Sequence, residues 1–145
     1  MSWATATSSR KNQAGLFLKK ETYTLTESKG YLKMDYIFNV EFLEPVLEFL
    51  ENLDPKSREK ILYNIWKSRS VNDNELFKKL EGEIWEFRTL YNKQYLRLFA
   101  FWDKSDKKDT VVISTHGIIK KTDKTPKVEI ERAESLRVKY FNEKK

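Results

Sequence analysis

At 145 residues the chain is long enough for one domain with a core and short for two. Apolar residues make up 39% and charged residues 34%, and no apolar run approaches the roughly 18 residues of a membrane-spanning helix. With no cysteine, a disulfide framework and cysteine-ligated metal are excluded, and a reducing, cytoplasmic setting is the default expectation. The formal charge of +6 is unevenly spread. Residues 34–87 carry seven Lys/Arg against twelve Asp/Glu, whereas residues 88–127 carry ten against four. A polyanion is therefore drawn to the second stretch and repelled by the first.

Residues 1–14 are rich in Ser, Thr and Ala with little to bury, and residues 15–33 alternate weakly around Tyr23 and Leu25. Residues 1–33 thus read as an N-terminal extension, disordered or an edge strand, ahead of a domain over residues 34–145. Met34 offers an alternative start to the chain. Tyr36–Val40 reads as a strand. Pro45 suits a first helical position, and Val46, Leu47, Phe49, Leu50 and Leu53 form an apolar stripe behind it. Asp54-Pro55 stops that helix and starts the next, Asp as N-cap and Pro at the first turn. The second helix places Ile61, Leu62, Ile65 and Trp66 on one face, which makes a helical hairpin. Leu76, Phe77 and Leu80 suggest a short turn before Gly82.

From Ile84 the period changes to two. In Ile84–Leu90, Trp85 and Phe87 face the core, leaving Glu86 and Arg88 on the other side. In Tyr95–Trp102, Leu96, Leu98, Ala100 and Trp102 point inward, and Tyr95, Arg97, Phe99 and Phe101 point outward. In Thr110–Lys120, Val111, Ile113 and Ile119 face the core and Ser114, His116 and Lys120 share the opposite face. Thr125-Pro126 starts the last helix, whose Ile130, Ala133, Leu136 and Tyr140 dock on the sheet. The expected fold is α+β: an N-terminal strand, a helical hairpin, a three-stranded antiparallel meander and a C-terminal helix, with the helices on one face of the sheet.

The uncovered face then gathers Glu86, Arg88, Tyr95, Arg97, Ser114, His116 and Lys120. Arginine forks suit bidentate phosphate contact. Phe99 and Phe101 beside Arg97 offer either a stacking surface for bases or an apolar seat for a partner. Glu86 and Arg88 also read as a cross-strand ion pair, with Glu86 positioning the arginines, and Lys120-Lys121 also reads as a solvated strand end.

Three features together, Glu86-x-Arg88, Tyr95-x-Arg97 and the run His116-Gly-x-x-Lys-Lys-Thr-x-Lys-Thr-Pro126, resemble the phage-derived, HigB-type branch of the RelE/ParE toxin superfamily. The resemblance covers about residues 34–142. It implies a RelE-like fold and a ribosome-dependent mRNA endoribonuclease that uses the substrate's own 2′-OH, with no metal or cofactor. Its implied partners are the ribosome, mRNA and a cognate antitoxin of helix-turn-helix type, and no membrane. By resemblance, Arg88 sits where such nucleases keep a catalytic arginine, joined by Arg97, and Lys120 or Lys121 matches the residue that stabilises the transition state. Lys124 and Lys127 then steer the RNA backbone. The terminal tyrosine or histidine that several members use as a base has no counterpart in KTDKTPK. His116 and Tyr95 stand as substitutes, with Tyr91 and Tyr140 behind them, or a lysine whose pKa its neighbours depress. Two alternatives stay open on the same fold: a ParE-like inhibitor of DNA gyrase without nuclease chemistry, and an inactive co-repressor that only binds an antitoxin.

Overall fold

The computed structural model describes residues 3–11, 17–25, 38–106 and 110–144, with side chains from Phe38 onward. The strands are β1 (Trp3–Lys11), β2 (Phe17–Leu25), β3 (Asn39–Leu43), β4 (Phe77–Lys79), β5 (Trp85–Tyr91), β6 (Gln94–Asp103) and β7 (Val111–Lys120). The helices are α1 (Glu44–Glu51), α2 (Pro55–Ser68) and α3 (Lys127–Lys144). The α+β class and the expected order hold. Strands from β3 onward pair as β3-β7-β6-β5-β4, and the β1–β2 hairpin extends the sheet beyond β3. The sheet is mixed, because β3 runs parallel to β7 while the other pairs are antiparallel. Tyr36 and Ile37 of the expected first strand, and the boundary at residues 33–34, lie outside the described residues. Among the described residues no helix is long and apolar enough to cross a membrane.

The helical hairpin forms as its punctuation predicts. The Asp54 carboxylate accepts from the Ser57 backbone N–H at 3.0 Å and from its hydroxyl at 2.6 Å, closing the first turn of α2. Arg58 donates to the carbonyls of Leu50 and Leu53, satisfying the end of α1. Val46, Leu47, Leu50, Ile61, Ile65 and Trp66 are buried against Phe87, Leu96, Leu98 and Ala100 of the sheet. The Phe77 segment, expected as a turn, is a short strand: Phe77 pairs opposite Phe87 and stacks on its ring at 4.4 Å. Aromatic packing outweighs the weak strand pattern there.

Two sequence expectations are corrected. The last helix does not join α1 and α2: α3 covers the opposite face, where Ala133 and Tyr140 pack with Leu43, Ile84, Phe99, Phe101 and Ile113. Phe99 and Phe101 are therefore fully buried, not an exposed patch. A central strand covered on both faces reads as a nearly continuous apolar run, and Leu96–Trp102 has that character apart from Arg97. The second correction concerns β7. Leu98 pairs with Gly117 but Ala100 pairs with Ser114, so β7 carries one extra residue between them. This bulge resets the alternation. Ser114 lies on the α1/α2 side, whereas His116, Ile118 and Lys120 share the α3 side with Ile113. Ile119, expected in the core, is 48% exposed.

Gly117 follows from the same geometry. A Cβ there would stand 2.5 Å from the Phe49 ring and 2.7 Å from Leu98, so α1 approaches β7 closely only over a glycine.

Candidate functional site

The α3 helix covers only part of its sheet face. Beyond it, near the β5–β6 turn, the face is polar and roofed by the segment 121–126 that links β7 to α3. Arg88 of β5 and Arg97 of β6 are directly opposite in the ladder, a repulsive arrangement for two cations. Two carboxylates relieve it. Glu86, 2% exposed, lies 3.5 Å from the Nε of each arginine. Asp123 accepts from Arg88 Nη2 at 2.9 and 3.2 Å and also from Arg97 Nη2. Both guanidiniums lower the Asp123 pKa, with the Arg88 hydrogen bond the largest cause. The Nε–H groups of Arg88 and Arg97 are buried and make no hydrogen bond, so Glu86 holds them by charge alone.

Lys120 completes the cluster from β7. Its Nζ donates to the Asp123 carbonyl at 2.9 Å and to Thr125 Oγ1 at 3.0 Å, and Thr125 Oγ1 donates to Glu86 at 3.1 Å. Burial lowers the Lys120 pKa and the nearby Arg97 lowers it further, while Glu86 and Asp123 pull the other way. Tyr95 lies opposite Lys120 in the ladder, with its ring 5.3 Å from the Arg97 guanidinium carbon. Three cations thus face two carboxylates in one largely buried network.

The fold brings together Glu86, Arg88, Tyr95, Arg97 and Lys120. Lys121, Lys124 and Lys127 are exposed on the linking segment and the first turn of α3. His116 is elsewhere: 1% exposed beneath α3, it stacks on Phe99 at 4.8 Å. Its Nδ1 lies 3.0 Å from Thr115 Oγ1 and its Nε2 3.3 Å from Glu129 of α3. Burial lowers its pKa, as does Arg132, against the opposing pull of Glu129. None of its partners belongs to the cluster. Thr125 reads in the sequence only as the start of the last helix, not as a partner of Lys120 and Glu86. Asp123 escaped the sequence reading, because an acid inside a basic run looks like a solvated residue. The available signal was an acidic residue three positions after the strand-end Lys120.

A cavity of about 390 Å³ opens between α3 and the β4–β5 turn, and neither Arg88 nor Arg97 lines it. Glu81, Glu83, Glu131 and Glu134 line it together with Lys127 and Arg137, so acidic groups outnumber basic ones there and the balance favours an anion less than the arginine cluster does. Among the described residues no group of three His, Asp or Glu side chains could hold a metal ion. The arginine cluster itself offers guanidinium and ammonium groups that suit an anion.

A family model described as phage derived protein Gp49-like (DUF891) matches residues 48–138. The chain belongs to this family. The Gp49-like match runs from within α1 to within α3 and contains every member of the cluster. Membership assigns the chain to the RelE-type toxin superfamily and implies a toxin of a toxin–antitoxin module, with a cognate antitoxin as partner. No curated protein and no solved structure matches the chain.

Proposed function

We propose that this Gp49-like protein is a toxin of the HigB-type branch that cleaves mRNA on the ribosome without a metal. The observation that carries the reading is the Arg88–Arg97 pair facing across adjacent strands with Lys120, its pKa lowered, in the same hydrogen-bonded network. Cleavage needs a proton acceptor for the 2′-OH, cations around the phosphorane and a proton for the leaving 5′-oxygen. In this reading the deprotonated fraction of Lys120, enlarged by its lowered pKa, takes the 2′-OH proton as the 2′-oxygen bonds to phosphorus. Arg88 and Arg97 hold the non-bridging oxygens as charge builds on them. The phosphorus–5′-oxygen bond then breaks, with Lys121 at the leaving oxygen as cation and proton source. The products are a 2′,3′-cyclic phosphate and a 5′-hydroxyl.

Glu86 orients the two arginines. Tyr95 flanks Arg97 as a base-stacking surface, and Lys124 and Lys127 attract the RNA backbone. His116 serves in this reading as a positioning residue, bracing β7 against α3 through Phe99 and Glu129. A cytoplasmic setting, with ribosome, mRNA and an antitoxin of helix-turn-helix type as partners, belongs to the same proposal.

The test is induced expression in a bacterial host with primer extension on a translated mRNA, comparing wild type with Arg88→Ala, Lys120→Arg and Lys121→Ala. New 5′ ends inside codons that vanish in the variants support the proposal. Growth arrest with intact mRNA would replace it with a gyrase-directed or other non-nuclease toxin. Neither arrest nor cleavage would leave a protein that only binds its antitoxin.

A further inference from the structure

We propose that Asp123 is a tethered occupant of the anion seat, and that its carboxylate must leave Arg88 and Arg97 before a phosphodiester can bind. The inference rests on reading those arginines as phosphate ligands, and it concerns how that site is regulated. One carboxylate oxygen of Asp123 accepts from the terminal nitrogens of both arginines, so a single anion already bridges the two forks. Two non-bridging oxygens of a phosphate would seek the same donors. Asp123 lies on the solvent side: its side chain is 57% exposed, against 2% for Arg97 beneath it. An incoming polyanion therefore meets the carboxylate first.

The segment's other anchors do not pass through that carboxylate. Lys120 grips the Asp123 carbonyl and Thr125 Oγ1, and Thr125 reaches Glu86. Rotation of the Asp123 side chain vacates the seat while the backbone stays latched over the sheet. Charge favours the exchange. With Asp123 withdrawn, Arg88, Arg97 and Lys120 face Glu86 alone, and that excess suits a phosphorane better than a carboxylate. The occupied state also relieves the cross-strand repulsion of the two guanidiniums in the free protein. An isolated phosphodiester must displace a competitor that is always present. A polyanion held by further contacts can do so, which makes the site selective for RNA delivered by a larger assembly.

The measurement is calorimetric titration of the full chain at low salt with a deoxythymidine trinucleotide, which has phosphodiesters but no 2′-OH to react. Wild type, Asp123→Asn and each of these with Arg88→Gln are compared. If the seat is free about one-tenth of the time in wild type, Asp123→Asn binds about tenfold tighter, and Arg88→Gln removes the gain. Equal or weaker binding by Asp123→Asn, with wild-type binding still dependent on Arg88, overturns the competitor and leaves the phosphate-ligand reading standing. Binding indifferent to Arg88→Gln in both backgrounds overturns that reading as well. A second measurement needs no variant. Saturating oligonucleotide should raise the Asp123 carboxyl pKa, followed by carbon NMR, toward the ordinary aspartate range. A carboxyl still held low at saturation overturns the proposal.

Discussion

Two halves of one strand face make the instructive comparison in this molecule. On the α3 side of β6, Phe99 and Phe101 lie under a helix in a dry cluster, while Tyr95 and Arg97, a few residues earlier, lie under an irregular segment in a charged one. Arg97 is buried as deeply as its apolar neighbours, yet its surroundings are carboxylates, a lysine and the solvent-facing Asp123. The same backbone thus presents a packing surface and a charged surface, and the difference lies in what covers each half. Helix over sheet excludes water by apolar contact, whereas the 121–126 segment covers the arginines with exchangeable hydrogen bonds.

If this division is right, substitutions in the two halves fail in different assays. The largest effect is expected at Phe101→Ala, which leaves a hole beside Tyr140 and Phe141 and should cost about 3–5 kcal/mol in urea unfolding. Arg88→Ala should lower cleavage by roughly 10²–10³, read by primer extension, with little change in the melting midpoint. Equal loss of stability and activity at both sites would erase the distinction. On the charged half, the proposed mechanism expects cleavage to fall as pH drops and Lys120 takes up a proton, and Lys120→Arg to abolish cleavage across the profile.

Asp103 sharpens the comparison from the packing half. It accepts from Tyr140 Oη at 2.7 Å and from Lys144, tying the end of α3 to β6. Burial pushes its pKa up, but hydrogen bonds from Lys144, Ser105 and Tyr140 prevail and hold it at about 2, below the ordinary 3.8. A depressed carboxylate pKa adds stability that is complete above the unfolded value and is lost as pH falls through the folded one. Asp103→Asn should therefore cost about 2 kcal/mol at neutral pH. The gap to wild type should close between about pH 4 and pH 2. A gap independent of pH would assign the effect to hydrogen-bond geometry and not charge.

Gly117→Ala, on the α1 side of β7, should cost about 1–3 kcal/mol by forcing the Phe49 ring away. Phe49→Leu in that background should recover part of the loss in the same unfolding assay. The smallest effect belongs to the β5–β6 turn. Asn92 and Lys93 both have positive φ, at 53° and 63°, as a two-residue hairpin turn of this hand requires. Lys93→Gly should raise unfolding stability by up to about 1 kcal/mol, because a side chain there strains the left-handed backbone.

Much of the fold was legible where local physics is strong. The Asp54-Pro55 break, the apolar faces of α1 and α2, and the change of period at Ile84 each follow from capping or alternation within a few residues. Gathering Glu86, Arg88, Tyr95 and Arg97 on one face was also legible, because β5 and β6 keep regular alternation up to Leu98. Lys120 reached that face as expected, but the bulge between Ser114 and Gly117 put it there together with Ile113 and without Ser114. One inserted residue inverts a strand's faces, and no local pattern in VVISTHGIIK announces it.

By itself the sequence determined the α1–α2 hairpin, strands β5 to β7 and α3, the basic character of the second half and the residue types suited to an anion, since propensity, spacing and charge are properties of neighbours along the chain. The tertiary structure decided which face α3 covers, and so whether Phe99, Phe101 and His116 meet solvent. It also decided that Asp123, thirty-five residues from Arg88 in the chain, bridges the arginine pair. Those outcomes depend on long-range packing and on a strand register that only the assembled sheet defines.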